Sequence, residues 1–111
     1  MKSWITLAWF LQDRQTLRTN VDIVLHSAAC VRFDDPMKST LVTNLRGTAE
    51  MVKLAKEMDK LQSFVYVSTA YSHCYSMDIE EKTYETSIDP DELIKCLNWM
   101  TEEQMAALAP Q

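Results

Sequence analysis

Val21-Asp22-Ile23-Val24-Leu25-His26-Ser27-Ala28-Ala29 and, further along, Phe64-Val65-Tyr66-Val67-Ser68-Thr69 are the two stretches that decide the fold. Each is a short β-branched and aromatic run ending in small or hydroxylic residues, the pattern of a buried parallel strand followed by a loop. The first strand is expected over Val21 to Leu25 and the second over Phe64 to Val67. Between them Asp34-Asp35-Pro36 punctuates the chain. Pro is favoured at the first helical position and Asp just before it, so a helix is expected from there towards Met58. Leu41, Leu45, Thr48, Val52 and Ala55 recur at helical spacing, with Met51, Leu54 and Met58 widening the apolar face. Arg46, Glu50, Lys53, Glu57 and Lys60 take the wet side, Lys53 and Glu57 as an i,i+4 pair. Strand, helix and strand make one βαβ unit with a right-handed connection, hence an α/β fold.

The flanks add helices. Met1 to Gln12 is apolar, with Trp4, Leu7, Ala8 and Leu11 at helical spacing; it is far shorter than a bilayer span and lacks the features of a signal peptide, so a short helix or an atypical chain start is expected. Tyr71 to Ser87 is of mixed polarity and reads as loop. Asp89-Pro90-Asp91-Glu92 opens a helix carrying Leu93, Ile94, Leu97 and Met100, and Thr101-Glu102-Glu103-Gln104 has the form of a capping box for another.

With 111 residues, 47% of them hydrophobic, the chain is sized for a single small domain. Its net charge of -5 and its scattered Lys and Arg form no basic stripe, so no nucleic-acid partner is expected. Cys30, Cys74 and Cys96 are odd in number and lack Cys-x-x-Cys spacing, which indicates a reduced compartment. His26, His73 and Cys74 give poor chelating geometry, and no metal site is expected. Average usage would place about 8 glycines in such a chain, whereas only Gly47 is present. That excludes a Gly-x-Gly-x-x-Gly or Walker loop within these residues, because each needs glycines for close backbone approach to phosphates.

Open parallel sheets gather chemistry beyond the carboxyl ends of their strands. Ala28-Ala29 would let a flat cofactor approach the backbone; the alternative is that they pack beneath a helix. Ser68-Thr69 would place a hydroxyl against a carbonyl oxygen gaining negative charge, the alternative being a capped strand end. Asn44 and Gly47 lie mid-helix, where both are poor formers, so a hydrogen bond near the strand ends is expected of Asn44 and close helix-on-sheet packing of Gly47.

These residues compose a family pattern. The run from Val21 to Pro36, Thr43-Asn44-Leu45-Arg46-Gly47-Thr48, and Phe64-Val65-Tyr66-Val67-Ser68-Thr69-Ala70-Tyr71-Ser72 resemble fatty acyl-CoA reductases, extended short-chain dehydrogenases with a thioester-reductase-like Rossmann domain. The likeness covers residues 11–110. It implies an incomplete NAD(P)-binding domain over 1–111: part of a doubly wound Rossmann-type parallel sheet, one central βαβ unit plus flanking helices. It further implies reduction of long-chain fatty acyl-CoA to fatty alcohol through an aldehyde, with NADPH as donor. By that resemblance Thr69 holds the substrate oxygen beside Ser68, Asn44 belongs to a proton relay, and Ser27, Ala28, Ala29 and Val67 line the cofactor. An intracellular, peroxisomal or endoplasmic-reticulum-associated protein facing the cytosol is implied, although the chain carries no visible targeting signal.

The chain departs from the family in having no Tyr-x-x-x-Lys: Tyr66, Tyr71, Tyr75 and Tyr84 are followed four residues on by Ala70, Tyr75, Ile79 and Ile88. In that family the Tyr is the general acid and the Lys lowers its pKa. The expectation is therefore an internal piece, inactive in isolation. The alternative is a non-catalytic module, such as a decayed duplicate, that docks on a full-length reductase or another partner through its sheet edge.

Overall fold

The computed structural model describes residues 11–107, so the apolar segment before Leu11 lies outside the described residues. In chain order the elements are α1 (Leu11–Asn20), β1 (Ile23–His26), α2 (Met37–Leu41), a π-helical turn (Val42–Arg46), α3 (Gly47–Lys56), β2 (Ser63–Tyr66), α4 (Pro90–Trp99) and α5 (Glu102–Ala107). The two strands pair in parallel, with Ile23 opposite Ser63, Val24 opposite Phe64, Leu25 opposite Val65 and His26 opposite Tyr66. A parallel pair needs a crossover, and α2, the π-turn and α3 provide it. The fold is α/β, as the sequence predicts.

Both strands sit slightly off their expected bounds. Val21 is spent on leaving α1, its N–H bonding Leu17 O at 3.1 Å, and Asp22 O accepts from Gln62 N at 2.7 Å before the ladder begins. Val67 lies just past β2 yet continues the pairing, donating to His26 O at 2.9 Å. Burial also departs from the expectation of a strand covered on both faces. Val24 and His26 are each 8% exposed, while Ile23 and Leu25 are 57% and 71% exposed. Side chains alternate across a strand, and the crossover covers only the Val24 and His26 face. Ile23, Leu25, Val65 and Val67 remain as an uncovered apolar face.

The apolar stripe expected to run along one helix is divided at the π-turn. Met37, Leu41 and Val42 pack on a core of Leu97, Met100 and Met105 from the C-terminal helices. Leu54 and Ala55 are buried instead where α3 meets β1 and α1. A π-turn adds a residue to one turn of helix, which rotates the two halves towards different partners. Pro36 precedes the helix as its N-cap, with ψ of 133°, and is not its first helical residue.

Two local expectations are corrected. A Cβ on Gly47 would meet only Val42 O at 3.8 Å, an ordinary contact, so close packing does not require glycine there. Lys53 pairs with Glu50 at 3.0 Å and not with Glu57. Glu57 is taken by α1, which the reading of the sequence did not anticipate. Arg14 Nη2 donates to Glu57 Oε1 at 2.6 Å, Arg14 Nε to Oε2 at 3.3 Å, and Arg18 Nε to Glu57 O at 3.1 Å.

The C-terminal pair forms as expected. Asp89 caps α4 by accepting from Asp91 N, with Pro90 in the first turn. Thr101 Oγ1 accepts from Gln104 N at 3.2 Å while Gln104 Oε1 accepts from Thr101 N at 2.8 Å, a reciprocal capping box. Lys38 joins this pair to the crossover: its backbone N–H donates to Glu102 Oε1 at 3.0 Å and its Nζ to Met100 O at 2.6 Å. An orphan donor at the start of α2 and a carbonyl at the end of α4 are thereby satisfied.

Gly47→Ala should stabilise the chain by about 0.5–1 kcal/mol, the conformational cost of a helical glycine, read as a higher urea midpoint. Hydrogen bonding from Arg14, the leading cause, holds the Glu57 carboxyl below the usual range. Its contribution is therefore complete above the ordinary glutamate range and lost as pH falls through the lower folded value. An NMR titration should place Glu57 below the other exposed glutamates, and Glu57→Gln should remove that acid-side loss of stability.

Candidate functional site

The parallel register brings both strand ends to one edge of the sheet. Ser27, Ala28 and Ala29 are exposed after β1, and Ser68 and Thr69 are exposed after β2. Val67 N–H on His26 O ties the two exits together. Exposure of Ala28 and Ala29 sets aside the alternative of packing beneath a helix. Thr69 Oγ1 accepts from Tyr71 N at 3.2 Å, a turn stabilised by the hydroxyl that leaves its proton available. Ser68 Oγ lies 3.0 Å from Ser72 Oγ, which in turn donates to Thr69 O at 3.0 Å. The pair therefore does shape a turn, as the alternative for Ser68-Thr69 held, while presenting a free donor at the strand end.

Asn44 sits in the π-turn and reaches back to the other strand exit. Its Oδ1 accepts from Cys30 N at 2.7 Å and its Nδ2 donates to Cys30 O at 3.0 Å. Both backbone groups of the residue after Ala29 are held by one side chain. Cys30 Sγ donates to Asp35 Oδ2 at 2.9 Å, and Arg32 braces the same loop through Asp34 at 2.9 Å and Asp35 at 3.4 Å. Its hydrogen bond holds the Asp34 carboxyl below the ordinary range.

Beneath the sheet a second polar chain supports Asn44. Thr48 Oγ1 donates to Asn44 O at 2.6 Å and lies 2.9 Å from His26 Nε2. With its only proton spent on Asn44, Thr48 accepts from His26, which requires the Nε2–H form of the imidazole. The ring stacks on Tyr66 with centroids 5.5 Å apart. Sequence reasoning treated His26 only as a poor metal ligand. Its parity with Val24 in an alternating strand was the available signal that it points inward. Among the described residues no group of three or more His, Cys, Asp or Glu could hold a metal, and no helix is long and apolar enough to cross a membrane.

A parallel βαβ unit with small and hydroxylic residues at its strand ends, and a helix asparagine tied to one of them, defines a piece of Rossmann-like nucleotide-binding architecture. The family model for the male sterility protein NAD-binding domain matches residues 10–109, and the chain belongs to that family. It is 41% identical over 98 residues to fatty acyl-CoA reductase wat of Drosophila melanogaster, covering 88% of this chain and 19% of that protein. Fatty acyl-CoA reductase 1 of Xenopus laevis is 38% identical over 100 residues, covering 90% of this chain and 19% of that protein. Fatty acyl-CoA reductase 2 of Homo sapiens is 33% identical over 100 residues, with the same two shares of 90% and 19%. The chain thus spans about a fifth of the length of the curated relatives it matches. No solved structure matches it significantly.

Asn44→Ala leaves the Cys30 N–H and C=O without their partner and should cost about 1–3 kcal/mol. Hydrogen exchange at the Cys30 amide should accelerate beyond that at β1, and an unchanged rate would refute the tie.

Proposed function

We propose that this chain carries the strand-end site of an NADPH-dependent fatty acyl-CoA reductase. The adjacency of the two strand ends, with Val67 bonded to His26 and Asn44 bonded to Cys30, is the observation that supports it most strongly. Thr69 is assigned to hold the acyl carbonyl oxygen, donating its free proton as negative charge develops there, with Ser68 beside it. Ser27, Ala28, Ala29 and Val67 are assigned to the wall beside the nicotinamide. When bound, NADPH supplies the hydride. Small exposed side chains fit that flat ring; with a single glycine in 111 residues, no phosphate loop is available here for the pyrophosphate. Asn44 acts first by positioning, since its amide already holds Cys30, and any part it takes in a proton relay builds on that. The long-chain acyl-CoA substrate and a peroxisomal or endoplasmic reticulum location belong to the same reading.

Residues 1–111 are read as an incomplete NAD(P)-binding domain without a Tyr-x-x-x-Lys proton donor of its own. On this reading the 111-residue chain with NADPH and palmitoyl-CoA forms no alcohol, and robust alcohol formation would overturn it. NADPH titrated into the labelled chain should shift the amides of Ala28, Ala29 and Val67 weakly, and shifts confined elsewhere would remove the cofactor assignment.

A second reading rests on the uncovered face of Ile23, Leu25, Val65 and Val67. Exposed apolar sheet surface and unpaired strand edges favour association, and on this second reading the chain is a non-catalytic module docking on a full-length reductase. Gel filtration of the two together separates the readings: co-elution supports docking, and independent migration dismisses it.

A further inference from the structure

Beside the strand ends lies a cavity of about 680 Å³, widely open to solvent, that none of the assigned residues accounts for. Small-molecule sites occupy roughly 300–1,000 Å³. Leu45, Ile88, Pro90 and Leu93 supply its apolar lining, and Ser72, His73 and Glu85 are among its polar lining residues. Two of these walls belong to the site already described. Leu45 follows Asn44 in the π-turn, and Ser72 is bonded to both Ser68 Oγ and Thr69 O. The outer wall is organised: His73 Nδ1 lies 2.9 Å from Tyr75 Oη, its ring stands 4.5 Å from that of Tyr84, and Tyr84 Oη accepts from Glu80 N at 2.9 Å.

The lining decides which part of a thioester substrate suits this space. It contains no Lys or Arg, and its one acidic residue, Glu85, repels phosphate and carboxylate groups. The phosphate-bearing end of a CoA ester is excluded, and an uncharged aliphatic chain gains from leaving water among Leu45, Ile88 and Leu93. We infer that this cavity receives the apolar chain of the acyl substrate, with Ser72 fixing its wall to the hydroxyl pair that meets the carbonyl. The inference rests on the reductase reading above and adds the place of the chain.

Titrating the ¹³C-methyl-labelled 111-residue chain with 1-octanol and 1-decanol tests it, the alcohols being neutral stand-ins for the aliphatic chain. Methyl shifts should concentrate at Leu45, Ile88 and Leu93, and decanol should bind on the order of tenfold more tightly than octanol, as burial of two more methylenes requires. Ile88→Trp, which fills the cavity from its exposed side, should weaken decanol binding by about tenfold or more. Leu25→Gln, on the uncovered sheet face, should leave it unchanged. No shifts, shifts at Ile23, Leu25 and Val65 instead, equal affinity for the two alcohols, or indifference to Ile88→Trp would each overturn the assignment. NADPH added to the same sample reads the parent assignment separately. Decanol binding in the cavity without NADPH shifts at Ala28, Ala29 and Val67 upholds the apolar-chain site and removes the reductase reading; NADPH shifts without decanol binding overturn the cavity alone.

Discussion

Parallel pairing of β1 and β2 is the constraint from which the rest of the structure follows. Two parallel neighbours cannot be joined by a tight turn, so the chain must return across one face of the sheet before the second strand begins. That return places both carboxyl ends on the same side. The Val67 N–H reaching His26 O then locks the two exits together.

The crossover performs two tasks that a uniform α-helix would not combine. Its first half packs on the Leu97, Met100 and Met105 core, and its second half buries Leu54 and Ala55 near β1 and α1. The π-turn between the halves is also where Asn44 finds Cys30. Asparagine in a helix costs at most about 0.7 kcal/mol relative to alanine. Its two hydrogen bonds to Cys30 contribute about 0.5–1.5 kcal/mol each, so the side chain's tertiary role outweighs its local preference. Thr48 and His26 extend the same polar chain under the sheet, each group satisfied by the next.

The opposite face of the sheet is chemically unlike the covered one. Ile23, Leu25, Val65 and Val67 present aliphatic side chains to solvent, where doubly wound folds carry a second layer of helices. Apolar residues on both faces are why the strands read as buried on both sides although one side is bare in this chain.

Much of the fold was legible in the residues: two β-branched runs, an Asp-Pro helix start at Asp89 and a capping box from Thr101 to Gln104 all act through neighbours in the chain, which sequence displays directly. The strand-end candidates were legible for the same reason, since Ala28-Ala29 and Ser68-Thr69 follow the strands immediately. Expectations about partners distant in the chain fared differently. Glu57 faces Lys53 on a helical wheel yet bonds Arg14, because α1 approaches from outside the periodicity of α3. Gly47 suggested tight packing where there is space, and His26, for which the sequence offered no role, forms a buried link to Thr48. Sequence by itself determined the βαβ unit, its family and the residues at its strand ends, because periodicity and short motifs are local properties. Only the tertiary structure decided which sheet face is covered, where the crossover changes its turn and which side chain Asn44 serves, because those depend on where distant segments meet in space.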